Sequence, residues 1–182
     1  IGIYQYLGFF TERLKHYVLI NKNIKKFKIA KVPYSKYFNN ISTSSEDMFL
    51  VKFIRNESEL LSFQFDNFKK NIPYKNKEYF TKRYFQHPIY KYDLIGVYDS
   101  LSLVGIFVIR CQAHNDAKVL RIIDFIGEEN TIKSFGKFIL EIMAKEGYEY
   151  VDFYCFGLDN KTLNNAGFFL VSSDDNLVIP NY

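Results

Sequence analysis

Two aspartates in apolar, strand-like segments are the side chains best suited to acid–base chemistry. Asp124 and Asp152 are each followed at once by phenylalanine and, a few residues later, by glycine. A carboxylate in a buried strand is costly unless it is paired or hydrogen-bonded. If the two lie about 5 Å apart on neighbouring strands, they can share a proton and act as general acid and base. Alternatively, each pairs separately with Arg121, Arg110 or backbone N–H groups and stabilises the fold.

Two further side chains are candidates for proton transfer. His87 stands directly before Pro88, where it can act as a base or cap the last carbonyls of a helix. Tyr154 lies two residues after Asp152, on the same face of a strand, and can donate a proton or pack in the core. His16 is expected to be solvated. The three histidines lack cysteine or carboxylate neighbours at ligand spacing, so we expect no metal site.

The two aspartates belong to a predicted strand–helix–strand unit. Residues 119–127 and 148–157 are rich in β-prone apolar residues, and residues 130–146 form an amphipathic helical pattern that ends at Gly147. Two strands joined by a helical crossover run parallel. Ligands of such sheets lie outside the carboxyl ends of the strands. The unit therefore predicts a site where these two strands end.

The other segments predict a mixed α+β domain. From residue 48 the predicted order is strand 48–54, helix 56–70, helix 77–86, strands 94–98, 103–111 and 119–126, helix 130–146, strand 148–156, helix 159–165, and strands 168–172 and 177–179. Residues 11–20 predict a short helix and residues 24–32 a strand. We expect residues 1–47 to be an aromatic arm and linker within a longer chain, and residues 48–182 to be the main domain.

Composition excludes several classes of function. The net charge of the 182 residues is only +4, and no nucleic-acid motif accompanies the lysine cluster at residues 22–31, which either meets an anionic surface or is a solvated edge. No run of 18 apolar residues occurs, so no membrane span is predicted. Cys111 and Cys155 lack a spacing signature. We expect both to be buried thiols in a reducing, cytoplasmic compartment.

The element order from residue 48 resembles that of the GNAT-type acyltransferases. The run Asn164-Asn165-Ala166-Gly167-Phe168 resembles the family's last motif, and residues 83–92 resemble a segment of GNAT-like proteins linked to bacterial surface polysaccharides. The resemblance implies a mostly antiparallel sheet with one parallel strand–helix–strand unit and helices on both faces. It implies acetyl-CoA or another acyl-CoA between the two parallel strands, held by Phe125, Ile126, Gly127, Asn130, Thr131 and Asn164.

Two functions follow as hypotheses. The resemblance implies an acyl-CoA-dependent N-acyltransferase acting on a small amine, such as an amino sugar or nucleotide-sugar in bacterial envelope polysaccharide biosynthesis. However, Glu128 and Glu129 follow Gly127 where the family binds pyrophosphate, and their charges would repel it. The alternative is a non-catalytic GNAT-like domain of a tandem protein, used for substrate binding, packing or dimerisation. Its partner would be a missing N-terminal domain or a second copy.

Overall fold

Seven strands form one mixed sheet in the computed structural model, which describes residues 2–33, 49–172 and 176–180. The strands are β1 (Lys15–Ile20), β2 (Leu50–Ile54), β3 (Asp93–Asp99), β4 (Ser102–His114), β5 (Ala117–Gly127), β6 (Tyr148–Cys155) and β7 (Phe169–Leu170). Their order in the sheet is β2-β3-β4-β5-β6-β1-β7. The β5–β6 pair is parallel and the other neighbours are antiparallel.

Helices flank the sheet. They are α1 (Gly2–Tyr6), two 3₁₀ helices (Glu57–Ser62 and Phe65–Phe68), α2 (Lys77–Phe80) with a π-helical turn after it (Thr81–Phe85), α3 (Thr131–Glu146) and α4 (Asn160–Asn165). One apolar cluster joins α3 and α4 to the sheet, and another joins the 3₁₀ helices and α2 to it. This arrangement confirms the expected α+β architecture and agrees with a GNAT-like fold. No helix among the described residues is long and apolar enough to cross a membrane.

The crossover helix α3 follows from its sequence pattern. Ile132, Phe135, Ile139 and Met143 recur at helical spacing and are all buried against the sheet. Gly147 ends the helix in the left-handed conformation at φ 75°, which glycine adopts without steric cost. The β5–α3–β6 unit is therefore present as predicted.

The predicted helix over residues 56–70 is instead two short 3₁₀ helices. Its start is confirmed, because Asn56 and Glu59 form the capping box. It ends at Ser62, and the rings of Phe63, Phe65 and Phe68 then pack together with centroids 4.7 and 5.5 Å apart. Burial of these rings outweighs the local helical preference.

The predicted helix over residues 11–20 is wrong, because Lys15–Ile20 form strand β1 between β6 and β7. Tyr17 and Leu19 enter one apolar cluster while Val18 and Ile20 enter another, so the strand is buried on both faces. Residues 24–32 do not form the predicted strand, and only Lys31 makes a bridge, to Val178. Residues 34–47 of the predicted linker, and residue 48 of the first predicted strand, lie outside the described residues. The proposed boundary at residue 47 stays a prediction.

Candidate active-site cleft

A cleft of about 600 Å³ opens between the carboxyl ends of β5 and β6. The two strands pair as far as Ile122 and Phe153, and β5 then continues to Gly127 without pairing to β6. A register shift against β4 leaves Ile123 as an extra residue in β5. Such a bulge bends a strand. The bend accompanies the separation of the strands, and the cleft lies at the predicted end of the parallel pair.

Both strand ends and the chain before α2 line this cleft. Residues 123–127 of β5, residues 153–158 at and after the end of β6, and Lys75 contribute to its wall. The charged residues that line it within the described part of the chain are Lys75, Asp124 and Glu129. Most of the remaining lining is apolar.

Asp124 is held by three hydrogen-bond donors. The Lys75 ammonium contacts its Oδ1, which also accepts from the Phe125 N–H at 2.8 Å, and the Tyr84 hydroxyl donates to Oδ2 at 2.5 Å. Three donors on one nearly buried carboxyl suit an ionised, acceptor-only group. Burial and the neighbouring Asp124 charge raise the pKa of Tyr84, so its phenol remains a donor. The site therefore contains an oriented carboxylate next to open space.

Asp152 has a separate set of partners. It is 1% exposed and accepts from Arg121 Nε at 3.0 Å and Nη2 at 2.6 Å, and His16 Nε2 lies 3.2 Å from its Oδ2. Burial opposes the charge on Arg121, but hydrogen bonds and attraction from Asp152 outweigh it and raise the Arg121 pKa. His16 also stacks on Tyr154 with ring centroids 3.9 Å apart, so its predicted solvation is wrong. Each aspartate thus has its own charged partner.

The structure brings some of the predicted catalytic residues together and leaves another apart. Asp124 and Tyr154 line the cleft, and Asp152 lies buried directly before its lining residue Phe153. His87 lies elsewhere: its Nδ1 accepts from the N–H groups of Ile89 and Tyr90, and it lines a different pocket.

The predicted cofactor contacts are divided in the same way. Phe125, Ile126 and Gly127 line the cleft, whereas Asn130, Thr131 and Asn164 do not. Thr131 is fully buried, and its hydroxyl donates to the Glu128 carbonyl at 2.5 Å.

The loop before α3 does not fit the diphosphate of coenzyme A. Gly127 has φ 146°, and a Cβ there would lie 2.5 Å from the Gly105 Cα, so this glycine permits close packing of β4 and β5. The Glu128 N–H donates to the Val104 carbonyl at 3.2 Å, and the Glu129 carboxylate accepts from the Asp159 N–H at 3.3 Å. A phosphate cradle needs free N–H groups and no nearby anions.

Sequence reasoning missed Lys75 and Tyr84. Tyr84 lies in the predicted helix 77–86, where its hydroxyl was indistinguishable from those of other core tyrosines. Lys75 directly precedes Asn76, whose side chain caps α2 by accepting from the Tyr79 N–H at 2.8 Å. That cap was predictable, but the contact between Lys75 and Asp124 spans 49 residues.

Two other expectations are wrong. Arg110 lies over the Tyr90 ring rather than on an aspartate, and Cys111 is exposed rather than buried.

Comparisons with known proteins support the fold. No family model and no curated protein matches the chain. A solved structure of a functionally unknown conserved protein from Staphylococcus epidermidis matches with a TM-score of 0.55 at 19% identity, over 93% of this chain. The match covers 62% of that protein, so the chain spans less than two thirds of its length. At this identity the likeness shows a shared fold.

An aminoglycoside acetyltransferase from an uncultured soil metagenomic sample matches more weakly. Its complex with sisomicin matches with a TM-score of 0.46 at 13% identity, over 66% of this chain and 86% of that one. Its complex with trehalose matches with a TM-score of 0.45 at 14% identity, over 75% of this chain and 96% of that one.

Within the described residues, no three His, Cys, Asp or Glu side chains gather where they could hold a metal ion.

Proposed function

We propose that the chain is a GNAT-type acyltransferase domain that moves an acyl group from a thioester to the nitrogen of a small amine. The observation that carries this proposal is the Asp124 carboxylate in the wall of the cleft where β5 and β6 separate. An amine reaches an enzyme as an ammonium ion and must lose a proton before it attacks a carbonyl. Asp124 is the group that would accept this proton.

Neighbouring groups support the assigned role of Asp124. Tyr84 and the Phe125 N–H hold the carboxylate in one orientation, which leaves its position fixed when a substrate binds. Tyr154, also in the cleft wall, is the proposed proton donor to the leaving thiolate. Burial and the Asp152 charge raise its pKa, so the phenol carries its proton at neutral pH. Asp152 and Arg121 are assigned no chemical step.

The donor and acceptor are proposed from chemistry and resemblance together. Acetyl-CoA or another acyl-CoA is the donor that the GNAT resemblance implies, but the loop at Glu128 and Glu129 supports only the neutral thioester end of such a molecule. The carboxylates in and beside the cleft favour a cationic acceptor. Following the resemblance of residues 83–92, we propose an amino sugar or nucleotide-sugar of a bacterial envelope polysaccharide. Both cysteines are free thiols, which suits the proposed cytoplasmic location.

Calorimetry and a thiol-release assay test the proposal. The chain is titrated with acetyl-CoA to millimolar concentration and with the neutral thioester S-acetyl-N-acetylcysteamine, and release of thiol is then followed with glucosamine as acceptor. We expect the thioester to bind and Asp124→Asn to slow transfer by about 10²- to 10⁴-fold. Asp116→Asn, in the exposed β4–β5 turn, is the matched control. Absence of binding by both thioesters, or full activity of Asp124→Asn, would contradict the proposal.

A second candidate is a non-catalytic domain that binds a partner chain. Two observations favour it: Lys75 already neutralises Asp124, and the N-terminal residues Tyr6 and Phe10 are 88% and 81% exposed. Phe10 lies against Phe156, with ring centroids 6.4 Å apart. Light scattering of the eluting chain would show a dimer that Phe10→Ser dissociates. A monomer that binds and turns over thioester would exclude this candidate.

A further inference from the structure

One side chain of the protein itself occupies the place proposed for a substrate ammonium. The Lys75 ammonium contacts Asp124 Oδ1 inside the cleft, where the lysine side chain is 19% exposed and the aspartate side chain 9%. Its backbone is fixed by the neighbouring Asn76 cap of α2. Lys75 is also the one lysine or arginine that lines the cleft among the described residues. An amine and a base are thus already assembled in the cavity.

We propose that Lys75 is a modification site, acylated at Nζ by a thioester bound in the same cleft. The proposal rests on the proposed function, because it requires that a thioester binds between the ends of β5 and β6. The geometry fulfils two requirements of nitrogen acylation. The nucleophile contacts its base, and both line the cleft in which the thioester is proposed to bind.

The reaction balances without another co-reactant. The Asp124 carboxylate takes one proton from the Lys75 ammonium, and the neutral nitrogen forms a bond to the acyl carbon. The carbon–sulfur bond breaks, and its electron pair leaves with sulfur as a thiolate. The amide nitrogen loses a second proton, the thiolate is protonated to a thiol, and one proton is released to water overall. The products are an N-acylated Lys75 and a free thiol.

Another lysine–carboxylate pair provides an internal comparison. Lys82 and Glu78 form an ion pair at 2.6 Å on the surface of the α2 segment, and their side chains are 71% and 67% exposed. If the Lys75–Asp124 pair serves only the fold, burial and pairing protect Lys75, and Lys82 reacts faster with any acylating reagent. If Lys75 is an acyl acceptor, the order reverses. The two interpretations therefore predict opposite ratios.

The experiment measures this ratio directly. The native full chain is incubated with S-acetyl-N-acetylcysteamine, and acetylation of the peptides that carry Lys75 and Lys82 is followed by mass spectrometry. We expect Lys75 to be acetylated about 10²-fold faster than Lys82, the low end of the range for a general base. In chemically denatured chain the two rates should become equal. A native ratio of one or below overturns the proposal without the need for any variant.

Variants then assign the chemistry to Asp124. Asp124→Asn should reduce labelling of Lys75 to the rate of Lys82, and the matched control Glu78→Gln should leave the labelling of Lys75 unchanged. Circular dichroism checks that Asp124→Asn is folded. Tyr84→Phe is the second variant, because it keeps the carboxylate but removes one of its donors. We expect it to reduce labelling of Lys75 by an intermediate amount. Transfer to glucosamine is measured in the same samples. Transfer without Lys75 labelling overturns this inference and leaves the proposed function intact, whereas absence of both overturns both.

Discussion

Arg121 and Asp152 face each other across the parallel strands β5 and β6, one residue before the strands separate. Their register is direct, and the Arg121 guanidinium binds both carboxylate oxygens through Nε and Nη2. The pair is buried, so the Coulomb attraction is weakly screened. The pair joins the two strands at the closed end of the cleft. Its contribution to the free energy of unfolding can be measured with variants.

Breaking this pair from one side should be costly. Asp152→Leu removes the carboxylate that accepts from Nε and Nη2 of Arg121, and Arg121→Met removes the buried guanidinium that donates to Asp152. We expect each single variant to lose about 3–5 kcal/mol of unfolding free energy, and the double variant to lose clearly less than the sum. Urea denaturation of the four proteins gives the coupling energy. Additive losses would show that the two charges do not depend on each other.

The charge of Glu129 should limit binding of phosphorylated thioesters. Glu129→Gln removes a negative charge from the cleft wall while keeping the size of the side chain. We expect acetyl-CoA to bind several-fold more tightly, with a smaller effect at high salt because exposed charges are screened. Calorimetry at two ionic strengths measures both. Glu141→Gln, on the exposed face of α3, is the matched control and should leave affinity unchanged.

Gly136 should be needed for the contact between α3 and α4. A Cβ at this position would lie 2.2 Å from the Ala166 carbonyl oxygen. Gly to Ala in the middle of a helix ordinarily stabilises by about 1 kcal/mol. Here we expect Gly136→Ala to destabilise by about 1–3 kcal/mol, because the helices must move apart. Thermal unfolding gives the sign, and a raised Tm would refute the close contact.

The two cysteines should differ in reactivity. Burial, with a smaller contribution from Glu129, raises the pKa of Cys155 to about 11 although Lys15 opposes the shift. At pH 8 very little of such a thiol is in the reactive thiolate form. Iodoacetamide at pH 8 should therefore label the exposed Cys111 and leave Cys155 unmodified. Peptide mass spectrometry measures the modification of each cysteine. In the denatured chain, we expect both Cys111 and Cys155 to be modified.

The reactivity of Cys155 should also depend on pH in a definite direction. Because folding raises the pKa of this thiol, the neutral thiol is more compatible with the folded state than the thiolate is. Its contribution to the free energy of unfolding is fully present below the ordinary thiol pKa and is lost as the pH rises towards 11. Labelling of Cys155 in the native chain should increase over this range. Labelling at pH 8 that equals that of Cys111 would contradict the burial.

The β5–α3–β6 unit could be predicted from the sequence because its signals are local. The apolar period of α3 and the stop at Gly147 depend only on neighbouring residues. Strands β3 and β4 could be predicted for the same reason. These elements also locate the cleft, since it lies where the two parallel strands end. The local sequence pattern was therefore sufficient to predict the position of the cleft.

The partners within the site could not be predicted in this way. His16 meets Asp152 across 136 residues, and Lys75 meets Asp124 across 49. Neither contact leaves a periodic signal, because each joins one side chain to another in three dimensions. The sequence predicted a helix in place of strand β1 because a short run of apolar residues fits a buried helix as well as a buried strand. Only the neighbouring strands of the sheet, which are distant in sequence, distinguish the two.

The position of β1 inside the sheet has a consequence for synthesis on the ribosome. Its neighbours β6 and β7 come from the far end of the chain, and the His16–Asp152 contact spans 136 residues. At about 5–20 residues per second, β1 waits roughly 7–27 s for β6 to be made. During this interval its apolar residues 17–20 have no native partner and are exposed to aggregation and to chaperones. The pairing of β1 with β6 therefore forms late in folding, and it is slow because it requires the closure of a long loop.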